Sequence, residues 1–234
     1  MRVLVLHLSD LHIKESSDPV LSKAGAIVEA TLPFASSTTS VLLALTGDVA
    51  YSGQSSEYDL AENWIASIVG GLQAQLSRAL PISVAAVPGN HDCDFRSGSL
   101  ARATLIDAMV REASLIGDPE TVRLCTAPQQ AFFAFRDRTA FQGLIDGTNR
   151  LYYEYRLPGA PSSDYLVRCC NTAWVSQLPE NPARLVFPES AIPSPNAAPP
   201  EDRAPLVISL MHHTYNWLAP GHIRPVRRQL QSVS

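Results

Sequence analysis

The chain has 234 residues, which is enough for one domain with a sizeable hydrophobic core. Hydrophobic residues make up 46% and charged residues 17%, as in ordinary globular proteins, and no apolar stretch approaches the roughly 20 residues that a membrane span needs. The net charge of −4 excludes an overall cationic surface for non-specific nucleic-acid binding. The first residues are too polar for a secretory signal, so we expect a cytoplasmic protein. From the length, we expect a single domain over 1–234.

In its first half, the chain alternates between short apolar runs and helix-like segments. The runs predict strands over Val3–Leu8, 41–45 and Ile82–Val87. They lack the two-residue alternation of a strand with one solvated face, which indicates strands that are covered on both faces. Apolar residues at helical spacing predict helices over 20–34 and 56–80, with Pro81 ending the second. This alternation is typical of a layered α/β domain.

The second half begins with apolar residues at helical spacing and continues with strand-like runs. It predicts helices over 100–116 and 128–141, two strands over 151–157 and 165–170 that could be antiparallel neighbours, and a further strand over 206–211. Eight of the chain's 18 prolines fall within 179–205, and we expect a long surface loop there. A linker and a helix are expected over 214–234.

Four of the apolar runs are followed by residues that can bind metals. These residues are Asp10-Leu11-His12, Gly47-Asp48, Gly89-Asn90-His91-Asp92 and His212-His213. Because open α/β sheets bind ligands where their strands end, we expect one shared site. Carboxylate, imidazole and amide ligands without a thiolate suit Mn, Fe, Zn or similar ions.

Several of these residues have a chemistry that suggests a particular role. Asp10 and His12 are two residues apart, so in an extended chain both side chains point the same way. A carboxylate at Asp48 can bridge two ions, and the neutral amide of Asn90 leaves its ion more electrophilic than a second carboxylate would. His212 closes the last run with an imidazole.

Other residues near the motifs allow more than one interpretation. His91 is placed to protonate a leaving group rather than to bind a metal, while Asp92 and His213 are either supporting residues or uncertain ligands. The segment Tyr51-Ser52-Gly53 could contact substrate or form a simple turn. Asp10 and Asp48 could instead cap the helices that follow, although capping leaves the adjacent histidines unexplained.

The motifs resemble those of the calcineurin-like metallophosphoesterases, whose pattern is D-x-H, G-D, G-N-H-[DE], a strand-end His and G-H-x-H. The first four occur in this order across positions 10–213. The resemblance implies a four-layer α/β/β/α sandwich in which two central mixed sheets are flanked by helices. It also implies two divalent metal ions, held by Asp10 and His12, by a bridging Asp48, and by Asn90 and His212. His91 would be the catalytic histidine.

By the same resemblance, a metal-bridging hydroxide would hydrolyse a phosphate ester, most characteristically a phosphodiester. The substrate could be a nucleotide, and no membrane partner and no strong signal for nucleic acid are evident. Two alternatives remain open. One is a non-catalytic module that senses a nucleotide or phosphate within a larger regulatory protein. The other is a DNA exonuclease of the same superfamily, against which the acidic net charge stands.

The fifth motif of the pattern is missing. Gly221-His222-Ile223-Arg224 has an arginine where the second histidine belongs, and no apolar run precedes it. We therefore expect a domain that is incomplete at its C-terminus and forms the front of a longer protein. Because each ion would lack one ligand, we also expect weak or partial metal occupancy.

Overall fold

The computed structural model describes residues 1–76, 79–97, 99–109, 112–140, 142–160, 163–193 and 206–231. The strands are β1 (Val3–Leu8), β2 (Ser40–Thr46), β3 (Ile82–Val87), β4 (Leu144–Ile145), β5 (Tyr152–Ala160), β6 (Ser163–Cys170) and β7 (Val207–Met211). The α-helices are α1 (Ala24–Ala35), α2 (Ser55–Gln75), α3 (Leu100–Met109), α4 (Pro119–Thr126), α5 (Gln130–Thr139) and α6 (Pro220–Gln231). None of the helices in these ranges is long and apolar enough to span a membrane.

The first sheet is parallel and has the order β1-β2-β3. Leu8 pairs with Leu45, and Thr46 pairs with Val87, so the carboxyl ends of the three strands lie at one edge. Every residue of β2 is buried, as its uninterrupted apolar sequence predicts for a central strand covered on both faces. The loops that follow these strands are thereby brought together.

The second sheet is mixed and has the order β4-β5-β6-β7. Strands β5 and β6 are antiparallel neighbours, as predicted, and β7 runs parallel to β6 with Cys170 opposite Met211. Its inner face packs on the first sheet in one hydrophobic core, where the Tyr153 hydroxyl donates to the Ala86 carbonyl at 2.6 Å.

Helices cover the outer faces of both sheets. Side chains from α1, α2 and α5 join the core of the first sheet, while side chains from α3, α4 and α6 form a second core against Tyr152 and Cys170. The structure confirms a layered α/β fold with two sheets flanked by helices. All four cysteines are free and buried, in agreement with their treatment as small core residues.

Several predicted elements have different bounds in the structure. The helix expected over 56–80 ends at Gln75, and the segment 100–116 divides into α3 and a 3₁₀ turn over Ala113–Leu115. Helix α4 was not predicted, although Asp118-Pro119 is a good start signal. The Asp118 carboxylate accepts the Thr121 N–H at 2.9 Å, and proline suits a first turn.

The proline-rich interval 179–205 is described only as far as 193, and this part is irregular. It is nevertheless not a wholly exposed loop, because Leu185, Val186, Phe187 and Ile192 are buried in the second core. Apolar side chains between the prolines attach the segment to the domain. The described part of the interval is therefore an irregular segment that is partly exposed and partly buried.

Candidate metal centre

The loops after β1 and β2 run side by side at the carboxyl edge of the first sheet. The N–H groups of Asp10, His12 and Ile13 donate to the carbonyls of Gly47, Asp48 and Val49 at 3.1, 2.9 and 3.0 Å. This pairing continues beyond the ends of the strands. It brings the first two motifs against each other.

The backbone at three of the motif residues has a left-handed conformation. Asp10, His12 and Asp48 have φ values of 55°, 48° and 53°. The extended chain expected at Asp10 and His12 is therefore wrong, because β1 ends at Leu8. Each such residue costs of the order of 1 kcal/mol, and strain of this kind collects at functional sites.

Asp48 lies at the centre of the site and is 3% exposed. Its Oδ1 accepts the His91 N–H at 2.8 Å, which fixes the carboxylate. Its Oδ2 lies 3.9 Å from His12 Nε2 and 3.6 Å from His212 Nε2. One oxygen is therefore held by the backbone, while the other lies between two imidazoles.

Within the described ranges, two groups of His and Asp side chains have ligand atoms that all lie within 4.8 Å of one another. They are Asp10, Asp48 and His212, and His12, Asp48 and His91. Asp48 belongs to both groups. The structure thus brings together residues from all four motifs, as the shared-site hypothesis requires.

His212 shows why a cation suits this arrangement. Its Nδ1 lies 2.8 Å from the Thr46 carbonyl oxygen, which can only accept, so Nδ1 carries the proton in the neutral ring. Its Nε2 then presents a lone pair towards Asn90 Oδ1 at 3.2 Å and towards Asp48 Oδ2. His212 Nε2, Asn90 Oδ1 and Asp48 Oδ2 therefore face one another as acceptors, with no proton between them. A metal ion relieves the repulsion between their lone pairs. The donor set fits a divalent ion.

His91 lies beside His12 with a ring centroid separation of 4.5 Å in an edge-to-face arrangement. Its Nδ1 lies 2.8 Å from the Tyr51 carbonyl oxygen, so Nδ1 is the donor in this hydrogen bond. The Nε2 side of the ring remains available to exchange a proton with a bound molecule. The geometry also places His91 within the second ligand group, so the side chain has access to the site.

Asp92 lies behind the site and joins its loops. It is fully buried and accepts hydrogen bonds from the Gly89 N–H at 2.8 Å, the Ala50 N–H at 3.0 Å and the Tyr58 hydroxyl at 2.8 Å. Burial, helped by the charge of Asp48, raises the pKa of Asp92 to about 6, although the hydrogen bonds from the two backbone N–H groups and from Tyr58 lower it. Sequence reasoning missed Tyr58, which is part of the helical pattern of α2.

His213 is 4% exposed, and both of its ring nitrogens are already engaged. Nδ1 lies 3.3 Å from Thr172 Oγ1, and Nε2 lies 3.0 Å from Glu180 Oε2. Burial opposes ionisation of Glu180, but the hydrogen bond and the charge of His213 lower the pKa of this carboxyl. His212, and not His213, therefore points towards Asp48. Glu180 was also missed, since no local pattern marks it.

Two other sequence features lie outside the ligand groups. His222 is part of α6, and its Nδ1 bonds the Phe187 carbonyl at 2.9 Å, so Gly221-His222-Ile223-Arg224 is a helical segment. Cys93 is buried, and burial raises the pKa of its thiol to about 12, which leaves it without nucleophilic character.

Comparison with known proteins agrees with this geometry. A family model described as calcineurin-like phosphoesterase matches residues 3–169, which is more than two thirds of the 234-residue chain. Searches of curated proteins and of solved structures returned no match. The matched segment contains the first three motifs, and the family expected from them is confirmed. The chain belongs to the calcineurin-like phosphoesterase family, whose members are metal-dependent and act on phosphate esters.

Proposed function

We propose that this chain binds two divalent metal ions and hydrolyses phosphodiesters. The observation that carries the proposal is the position of Asp48 Oδ2 between His12 Nε2 and His212 Nε2. By the family pattern, Asp10, His12 and Asp48 would hold one ion, and Asp48, Asn90 and His212 would hold the other. The ligand atoms that lie closest together instead group Asp10 with His212, and His12 with His91, around Asp48. Mn, Fe, Zn or similar ions suit these ligands.

When bound, such ions supply Lewis acidity towards phosphoryl oxygens and activate water. The protein's own contribution is positioning and proton transfer. Because the Tyr51 carbonyl holds His91 Nδ1, the opposite nitrogen can deliver a proton to the departing oxygen of the substrate. The His91 N–H also bonds Asp48 Oδ1, so the catalytic histidine and the shared carboxylate are held in one fixed unit.

The test compares Asp48→Asn with Asp164→Asn, which changes an exposed aspartate at the far end of β6. Metal content is measured by elemental analysis after incubation with Mn²⁺, and activity is measured with bis(p-nitrophenyl) phosphate. We expect Asp48→Asn to lose most of the bound metal and more than about a hundredfold of the activity, because it loses the ligand common to both ions. Asp164→Asn should behave like the unaltered chain. Equal metal content and activity in both variants would refute the proposal.

The substrate class and the alternatives are separated by further substrates. Faster hydrolysis of the diester than of p-nitrophenyl phosphate supports a phosphodiesterase, and the reverse order removes that part of the proposal. Degradation of linear DNA would favour the exonuclease. Nucleotide binding without hydrolysis by the metal-loaded chain would favour the sensing module. The cytoplasmic location and the single domain over 1–234 remain predictions from the sequence.

A further inference from the structure

We propose that Tyr51 and Lys14 form a platform for the base of a nucleotide phosphodiester, so that substrates carrying a base are preferred. This inference rests on the proposed function, because the platform lies at the same site. It assigns substrate selectivity to two residues outside the ligand groups.

Tyr51 is an unusual aromatic residue because it is exposed beside His12 and His91. Its relative exposure is 47%, while most tyrosines of the chain are buried in the two cores. Its ring centroid lies 5.9 Å from that of His91 and 6.5 Å from that of His12. An exposed ring next to a reaction centre offers a flat apolar surface to whatever is bound there.

The backbone of Tyr51 is held on both sides, so the ring projects from a fixed point. Its N–H donates to the Ile13 carbonyl at 3.0 Å, and its carbonyl accepts from His91 Nδ1. The next residue, Ser52, donates its N–H to Glu57 Oε2 at 2.9 Å, and Glu57 is only 4% exposed. A surface that is held in place before binding loses less conformational entropy when a ligand arrives.

Lys14 completes the platform. Its Nζ lies 5.1 Å from the centroid of the Tyr51 ring, within the range of a cation–π contact. The ammonium therefore lies close to the ring and can neutralise an additional negative group of the ligand. A planar base with attached phosphates matches an aromatic surface that carries a nearby cation.

The first experiment measures binding to the Mn²⁺-loaded chain by isothermal titration calorimetry with AMP and with ribose 5-phosphate. Both probes carry the same phosphate, but only AMP has a base. We expect AMP to bind at least about fivefold more tightly than ribose 5-phosphate, because stacking of the base on an aromatic side chain adds to the binding free energy. Tyr51→Phe should keep this preference and Tyr51→Ala should abolish it. Phe34→Ala removes another exposed aromatic (64%), in the last turn of α1, and should keep the preference.

The second experiment tests the cation with ADP and AMP. Lys14→Gln should weaken ADP binding at least about threefold more than AMP binding, since the additional phosphate loses its counter-charge. Lys23→Gln changes an exposed lysine at the end of the 3₁₀ turn Pro19–Lys23 and should leave the ratio unchanged. An unchanged ratio in Lys14→Gln would remove this residue from the platform.

The two proposals fail in different ways. Equal affinities of the unaltered chain for AMP and ribose 5-phosphate, or a preference that survives in Tyr51→Ala, would overturn the platform while diester hydrolysis could still stand. A preference that depends on Tyr51 in a chain that hydrolyses no diester would instead overturn the proposed function and leave the platform as a binding site.

Discussion

At the scale of single residues, Gly89 shows how closely the backbone approaches the central carboxylate. A Cβ atom at this position would lie 2.2 Å from Asp48 Oδ1 and 2.6 Å from the Asp48 nitrogen. These atoms belong to a buried, hydrogen-bonded group, so neither can move without disturbing the site. Glycine is therefore required here by space, not by an unusual φ angle.

We predict that Gly89→Ala weakens Mn²⁺ binding by more than about tenfold, because the added methyl group displaces Asp48. Calorimetric titration with Mn²⁺ measures the effect. The matched control is Gly25→Ala in α1, where an added Cβ meets no atom within 4 Å and metal affinity should not change. Undiminished Mn²⁺ affinity in Gly89→Ala would show that metal binding does not depend on the present position of Asp48.

At the scale of elements, the packing of α1 on α2 depends on one of two adjacent glycines. A Cβ on Gly71 would lie 2.9 Å from Val28 Cγ2, whereas a Cβ on Gly70 meets no atom within 4 Å. Both residues lie inside α2. The two positions therefore share a helical backbone and differ in their surroundings.

Gly70→Ala should raise the free energy of unfolding by about 0.5–1 kcal/mol, because alanine loses less backbone entropy in a helix. Gly71→Ala should be less stable than Gly70→Ala by at least about 1 kcal/mol, since overpacking against a branched side chain offsets that gain. Urea unfolding of both variants measures the difference. Equal gains would mean that α1 and α2 separate slightly at little cost.

At the scale of the whole molecule, the candidate site joins the two sheets. Asp10, Asp48 and Asn90 follow strands of the first sheet, while His212 follows β7 of the second. The His212 ring already reaches across to the Thr46 carbonyl at 2.8 Å. An ion held by residues from both sheets should therefore stabilise the entire fold against unfolding.

We predict that Mn²⁺ at a hundred times its dissociation constant stabilises the chain by about 2.7 kcal/mol relative to EDTA. For a domain of this size, the unfolding temperature should rise by about 5–10 °C. Thermal unfolding followed by circular dichroism measures the shift. His212→Ala should lose most of it, and Asp164→Asn should keep it. The same unfolding temperature in Mn²⁺ and EDTA would contradict a site shared between the sheets.

The sequence was sufficient to identify the family and the motif residues because both depend on local patterns. A buried parallel strand has an uninterrupted apolar sequence, as in β2. The residues that follow such strands lie together at one edge of the sheet. The spacing within Asp10-Leu11-His12 and Gly89-Asn90-His91-Asp92 is also local information. Helix α4, with eight residues, and strand β4, with two, were missed because such short elements carry little local pattern.

The tertiary structure alone decided which side chains meet. The family pattern favoured His212 over His213, and the structure shows that their partners differ: Thr46 and Asn90 for His212, and Thr172 and Glu180 for His213. The left-handed backbone at Asp10 and His12, and the place of Asp48 in both ligand groups, likewise depend on loops that pair after folding. Residue types and spacing determined which candidate ligands the chain carries. Contacts between residues far apart in the chain determined their arrangement, because folding of the two sheets is what brings them together.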